Sequence, residues 1–315
     1  MGSPSAGRVW FALATIYVVW GSTFIGIALA VRTIPPLLAM SARHLAAGTL
    51  LLAWAYARGT RERIGRRQVG AALVFGSALF LGSHGGLAWA QQRIPAGVAA
   101  LLVGSIPLWV AVLDRVALGQ RLSRRAVVGL VIGFGGLGVL VDPFGAGPID
   151  RIGALAALLA AASWAAGSLY SRGAPLPKAP IVSAGLASVL GGALLLVVGV
   201  ARGELATLDV AAVSGESLAG VGYLIVAGSL IGLSAYVWLL RVAPISLVAT
   251  YAYVNPVIAV LLGWALLDES ITLRVVLAGG AIVLAVALIV SAPKPAQAFG
   301  RGLLRRGART GEAEA

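Results

Sequence analysis

The sequence predicts an all-α integral membrane protein of ten transmembrane helices, built as two inverted five-helix repeats around a central cavity. Three observations carry that prediction. The first is composition: 59% of the 315 residues are hydrophobic and only 11% are charged, whereas a soluble domain carries about 25% charged residues. So few charges cannot cover a water-facing surface. Lipid is therefore part of the solvent, and only helices or a closed barrel can span it. The second is the length of the apolar runs. They are about 20 residues long, where barrel strands would alternate over about ten, so the spans are helices. The third is that the second half of the chain repeats the first.

In chain order the spans read 9–31, 37–57, 69–90, 96–114, 125–141, 152–171, 180–201, 218–240, 247–267 and 273–291. Nearly all are close to the ~20 residues that cross ~30 Å of hydrocarbon. The run 9–31 is longer than the apolar core of a signal peptide and has no convincing cleavage site after it, so it is read as a retained helix. Pro35-Pro36, Pro95, Pro148, Pro175-Leu176-Pro177 and Pro293 punctuate the short connections. The segment 292–315 is rich in Arg, Gly and Ala without an apolar period, and is expected to be a disordered basic cytoplasmic tail.

Basic residues set the orientation. With the N-terminus inside, eighteen of the 24 Lys and Arg residues fall on the inner side. Five (Arg32, Arg93, Arg151, Arg202 and Arg274) fall outside, and Arg43 lies within a span. The expectation is a bacterial cytoplasmic (inner) membrane protein with both termini cytoplasmic. The same placement explains the net charge of +13 without nucleic acid as a partner. The chain has no cysteine, which excludes disulfides, thiolate metal sites and cysteine nucleophiles.

A shift of 149 residues carries Trp89 onto Trp238, Pro95 onto Pro244, Ala100 onto Ala249, Pro107 onto Pro256 and Leu118 onto Leu267. Trp20 meets Trp164 at a slightly different offset. The expected units are a first repeat over 1–145 (spans one to five), a second over 146–291 (spans six to ten) and the tail. Five spans per repeat is an odd number, so the second repeat enters the membrane upside down. The loop GQRLSRR (119–125) is basic and lies inside, while its counterpart DESITLR (268–274) carries two acids and lies outside. Inverted repeats exchange conformations of similar energy around a site near the bilayer midplane.

The stretches WGSTFIGIALAV (20–31), PPLLAMSARHLAAGTLLL (35–52), GGLAWAQQRIPAGVAALLVGSIPLWVAVLDR (85–115), GQRLS (119–123) and PVIAVLLGWALLDE (256–269) resemble the EamA family of the drug/metabolite transporter superfamily, and within it the YedA-like inner-membrane proteins. No single stretch is very specific; the ordered set over nearly the whole chain is. The resemblance implies a ten-helix bundle of two inverted repeats with a central cavity. It also implies export of metabolites, amino acids or drugs, with the cargo left open. One departure is visible. Where the family carries Glu in its GERLS stretch this chain has Gln120, whereas Glu269 keeps the acid in the second repeat.

Ionisable groups inside a span are costly and mark function. Arg43 lies about 10 Å below the outer end of span two, at 1.5 Å per residue. It is suited to bind a carboxylate, or else snorkels outward as a structural cation. His84 sits at a similar depth, and a helix places it on one face with Ala88 and Gln91. His44 is about 100° around the helix from Arg43, so the two cannot face the same cavity, and His44 is read as the structural one. No Asp or Glu lies deep within a span. Proton coupling then falls to His84 or His44, or transport runs passively down the substrate gradient, which is the favoured reading. Pro107 and Pro256 are hinge candidates, each freeing a carbonyl four residues earlier, at Val103 and Ala252. Trp20 and Trp164, with Thr23 and Ser168 nearby, are expected to bracket the cavity, and Tyr251 and Asn255 to add an aromatic wall and a polar pair. Trp89 and Trp238 suit an interfacial belt. Gly228 to Gly232 reads as helix packing.

The sequence thus points to a secondary transporter that moves small organic solutes by alternating access, most readily as an exporter. Alternatives are an uptake carrier or passive channel of the same architecture, or an intramembrane lipid-modifying enzyme. The enzyme lacks a clustered acid, base and nucleophile. No phosphate-binding glycine loop precedes a Lys-Ser or Lys-Thr, so no ATPase drives the carrier. No metal site and no cofactor are expected. The partners are the substrate and the bilayer, and either a monomer or a homodimer fits.

Overall fold

A computed structural model of the chain describes residues 5–142 and 149–291. The expected tail 292–315, Pro148, Pro293 and the junction of the two expected repeats lie outside the described residues. Among the described residues all regular structure is helical. Among the described residues nine helices are long and apolar enough to cross a membrane: α1 (Ala6–Ala30), α2 (Pro36–Ala57), α3 (Arg66–Ala90), α4 (Ala96–Ala117), α5 (Arg124–Val141), α6 (Arg151–Ser171), α7 (Pro180–Ala201), α8 (Gly215–Tyr236) and α10 (Leu273–Val290). Between the last two lies the shorter apolar α9 (Tyr251–Leu267). It begins four residues later than the span read from the sequence, because a short turn, Ile245–Val248, precedes it and the chain bends before Tyr251.

Helix starts follow local chemistry. Pro36 and Pro180 stand in the first turns of α2 and α7, where a missing N–H costs nothing. Ser123, Asp150 and Thr272 cap α5, α6 and α10, their side chains accepting from Ala126, Gly153 and Val275 N–H. Three further helices are capped from a distance. Glu204 accepts from the N–H groups of Leu37 and Leu38 at the head of α2, both at 3.0 Å. Glu62 accepts from Lys178 and Ala179 at the head of α7, at 2.7 and 3.0 Å. Glu269 accepts from Ala96 and Gly97 at the head of α4, at 2.5 and 2.9 Å. A carboxylate at a helix N-terminus satisfies orphan donors and meets the positive end of the dipole.

The packing pattern repeats when α1–α5 are exchanged with α6–α10. That exchange carries α1 against α8 onto α6 against α3, and α1 against α9 onto α6 against α4. It carries the pairs α2–α7, α4–α9 and α5–α10 onto themselves. Pro36 and Pro180 are 144 residues apart, and the same step relates individual contacts. Ser41 Oγ donates to the Gly192 carbonyl at 2.9 Å. The exchanged contact is between Gly48 and Gly185, where a Cβ on Gly48 would stand 2.8 Å from the Gly185 oxygen. Only glycine permits this approach of α2 to α7. His44 and Ser188 are also 144 residues apart, so their contact maps onto itself.

The main core runs through the middle of the bundle, from Phe24, Ile27 and Met40 through Leu87, Leu101 and Leu108 to Ala157, Leu195 and Ile282. A smaller cluster of Leu13, Ile16, Leu239 and Val248 closes one end. Large apolar side chains such as Leu155, Leu159, Val197 and Leu277 are exposed on the outer faces, as acyl chains require.

Candidate functional site

Two polar groups meet on opposite sides of α2. The first lies between α1, α2, α8 and α9. Arg43 projects from α2 and is 5% exposed. Its Nε donates to Ser229 Oγ at 3.3 Å. Among the described residues no carboxylate stands within ion-pair distance of it; the ion pairs join Arg32 to Glu216, Arg172 to Asp114 and Arg274 to Asp142. Thr23 of α1 and the Arg43 guanidinium both close on Gly228 of α8. Trp20 Nε1 donates to the Gly228 carbonyl at 3.2 Å. The Trp20 ring packs against Tyr236 and Tyr251, with centroids 5.1 and 5.0 Å away. Tyr17 and Thr250 share a hydroxyl contact beside them. Asn255 is buried, its amide end 3.3 and 3.2 Å from the carbonyls of Tyr251 and Tyr17, to which it donates once its nitrogen is turned toward them.

The second group lies between α2, α3, α6 and α7. His44 Nε2 and His84 Nδ1 are 2.8 Å apart, with ring centroids 4.9 Å apart and planes 15° from parallel. Phe80 packs on His44 at 4.2 Å, and Trp164 of α6 covers His84 at 5.4 Å. His44 Nδ1 lies 3.2 Å from Ser188 Oγ of α7.

Local backbone form positions both groups. α3 passes through a π-helical segment, Ser77–Gly85, which holds Phe80 and His84. α8 does the same over Leu224–Ile231, which holds Gly228 and Ser229. Widened turns of this kind gather at functional sites. In α8 the segment turns the Gly228 carbonyl to Trp20, while Ser229 Oγ donates to Leu224 O, five residues back, at 3.0 Å.

The sequence candidates therefore divide. Trp20, Thr23, Arg43, Tyr251 and Asn255 share the first group, and His84 and Trp164 the second. Gln91 does not continue a stripe with His84: its Nε2 donates to Phe24 O of α1 at 3.0 Å, and its Oε1 is buried without a hydrogen-bond partner. His84 lies at the end of the π-helical segment, whereas Gln91 closes the short α-helical stretch Gly86–Ala90 and turns to α1. Ser168 stands one turn beyond Trp164, and its carbonyl accepts from Ser171 Oγ. Trp89 stacks under the Arg93 guanidinium at 4.2 Å, as an interfacial residue would.

The hinge candidates differ from each other. α4 is broken at Gly104-Ser105, and Pro107 lies in the first turn of the new helical stretch, Ile106–Leu118. There it costs no hydrogen bond, so the discontinuity lies earlier than Pro107. Pro256 does lie inside α9. The break and the proline touch: a Cβ on Gly104 would stand 2.8 Å from Pro256 Cγ.

Sequence reading missed Phe80, Ser188, Gly228, Ser229 and Tyr236. No local signal marks a serine or glycine as site-lining, and π-helical turns leave no periodicity to read. The paired placement of His44 with His84 was hidden too, since 40 residues separate them.

The EamA-like transporter family model matches the chain twice, over residues 7–141 and 151–291. The chain belongs to the EamA-like transporter family. Among curated relatives of this EamA protein is the uncharacterized inner membrane transporter YedA of Escherichia coli K12, 36% identical over 88% of this chain and 89% of that one. The uncharacterized transporter YvbV of Bacillus subtilis 168 is 26% identical over 96% of this chain and 98% of its own. A solved crystal structure shares the fold at a TM-score of 0.60 and 20% identity, covering 91% of this chain and 98% of that one. The chain is thus a multi-pass membrane transporter, and its relatives point away from an enzyme.

Proposed function

We propose that this EamA protein is a secondary carrier for small organic solutes bearing an anionic group, such as amino-acid-like metabolites, and that it exports them across the cytoplasmic membrane by alternating access. Arg43 carries this reading. A guanidinium buried among α1, α2 and α8 with no carboxylate beside it is costly, and a bound anion would offset that cost. A carboxylate suits the planar fork. Trp20, Tyr236 and Tyr251 supply a neighbouring aromatic wall.

The exchange symmetry of the packing supports two repeats around one site. Five spans in each repeat make them inverted, and the excess of basic residues on one side supports termini that are both cytoplasmic.

The test compares extracellular metabolites of cells expressing the intact protein, an Arg43→Ala variant of equal abundance, or an empty vector. The expected result is one anionic compound class accumulating outside with the intact protein alone. Equal accumulation with Arg43→Ala would remove the binding role of Arg43, and no accumulation in any culture would remove export.

A further inference from the structure

Tracing hydrogens through the second polar group gives one tautomer assignment that satisfies every contact of the two histidines. Ser188 Oγ donates its single hydrogen to the His44 carbonyl at 3.2 Å. Its lone pairs then accept from His44, so His44 carries its hydrogen on Nδ1. His44 Nε2 is left as an acceptor. The 2.8 Å contact is therefore donated by His84 Nδ1, and a neutral His84 keeps a lone pair on Nε2. His44 is sealed, at 2% exposed, whereas His84 is half-buried.

We propose that His44 and His84 form one proton-binding site, entered at His84 Nε2 and linked to anion occupancy at Arg43. A proton added at His84 Nε2 leaves every existing hydrogen bond in place and converts the N–H···N contact into a charge-assisted one. A second proton would place two cations 2.8 Å apart, so the pair takes one. The groups around the pair are Phe80 from α3, Trp164 from α6 and Ser188 from α7. Arg43, next to His44 along α2 but turned to the other side of that helix, is the charge nearest the pair in sequence, and all eleven acidic residues of the chain lie outside the middle of the spans.

That arrangement gives the linkage its sign. Arg43 repels a proton on the pair. An anion bound at Arg43 cancels the repulsion, so anion and proton bind together and a monoanion crosses with its charge neutralised. The consequence for transport rests on the carrier reading above; the proton site does not.

The chain has only two histidines, so protein labelled with ring-15N histidine reports this site alone. The purified full chain is titrated by NMR as wild type, Arg43→Gln and Ser188→Ala. The expected result is a His44 Nδ1–H tautomer, both rings changing together with uptake of one proton as pH falls. Arg43→Gln should bind that proton on the order of tenfold more tightly, and Ser188→Ala should lose the fixed tautomer. Independent titration of the rings, an Nε2–H tautomer of His44, or equal affinity in Arg43→Gln overturns the proposal. No transport is needed for this titration. A positive result beside a failed export assay would leave the proton site standing and sink the carrier.

Discussion

At the scale of single residues the fold depends on where side chains are missing. A Cβ on Gly48 would meet the backbone of α7, 2.8 Å from both Gly185 O and Val189 N. A backbone clash cannot relax by rotamer change, so the helices must separate. Gly48→Leu is expected to lower the thermal midpoint in detergent, at an overpacking cost of about 1–3 kcal/mol or more. Gly135→Leu on α5 has nothing within 4 Å of its new Cβ and should unfold like the wild type. An equal drop for both would mean that leucine itself, rather than the clash, is at fault. Sequence made Arg43 legible, because one charge in an apolar run has few explanations. It read His44 as structural by its angle from Arg43, and did not see its pairing with His84. The angle was sound, since Arg43 reaches α8 while His44 reaches α3 and α7. What one helix cannot show is that a second polar group waits on its other side.

At the scale of elements, the distant carboxylates are the devices that join one set of helices to the other. Their acids come from loops after α2, α7 and α9, and each seats on the first turn of a helix in the opposite set. Glu269 was expected to follow the acid of the family's loop motif, and its observed partners are the bare N–H groups of α4. Glu62 gives this arrangement a dependence on acidity. The N–H groups of Lys178 and then Ala179 hold its carboxyl below the ordinary 4.5. A depressed carboxyl contributes its stability above the unfolded value, and loses it as pH falls through the lower folded one. The thermal midpoints of wild type and Glu62→Gln should therefore differ near neutrality and converge below about pH 4.5. A gap that persists unchanged into acid would show that the cap works without its charge. The spans themselves were legible to within a few residues because length and apolarity are local. The exception was α9, whose start is set by a bend that the apolar run conceals.

At the scale of the whole molecule, the charge bias makes a topological claim that the lack of cysteine allows to be checked directly. Single cysteines at Gln120 and at Ser270 occupy counterpart loops on opposite sides in the proposed topology. A membrane-impermeant maleimide added to intact cells should label Ser270→Cys at once and Gln120→Cys only after lysis. Labelling of both from outside would overturn the inverted orientation. The repeat was legible because tryptophans and prolines recur at fixed steps. The site was less so, since its two groups draw on α1, α2, α8 and α9 and on α2, α3, α6 and α7. The contact between His44 and Ser188 has a consequence for descent. Were the two halves separate copies of one chain related by a two-fold axis, that position would meet itself, and a dimer would have to set serine against serine or histidine against histidine. Joining the copies into one polypeptide frees each to mutate alone. A histidine set against its counterpart's hydroxyl across the axis is a pairing that two identical copies cannot make once each, so the two halves must differ at that position.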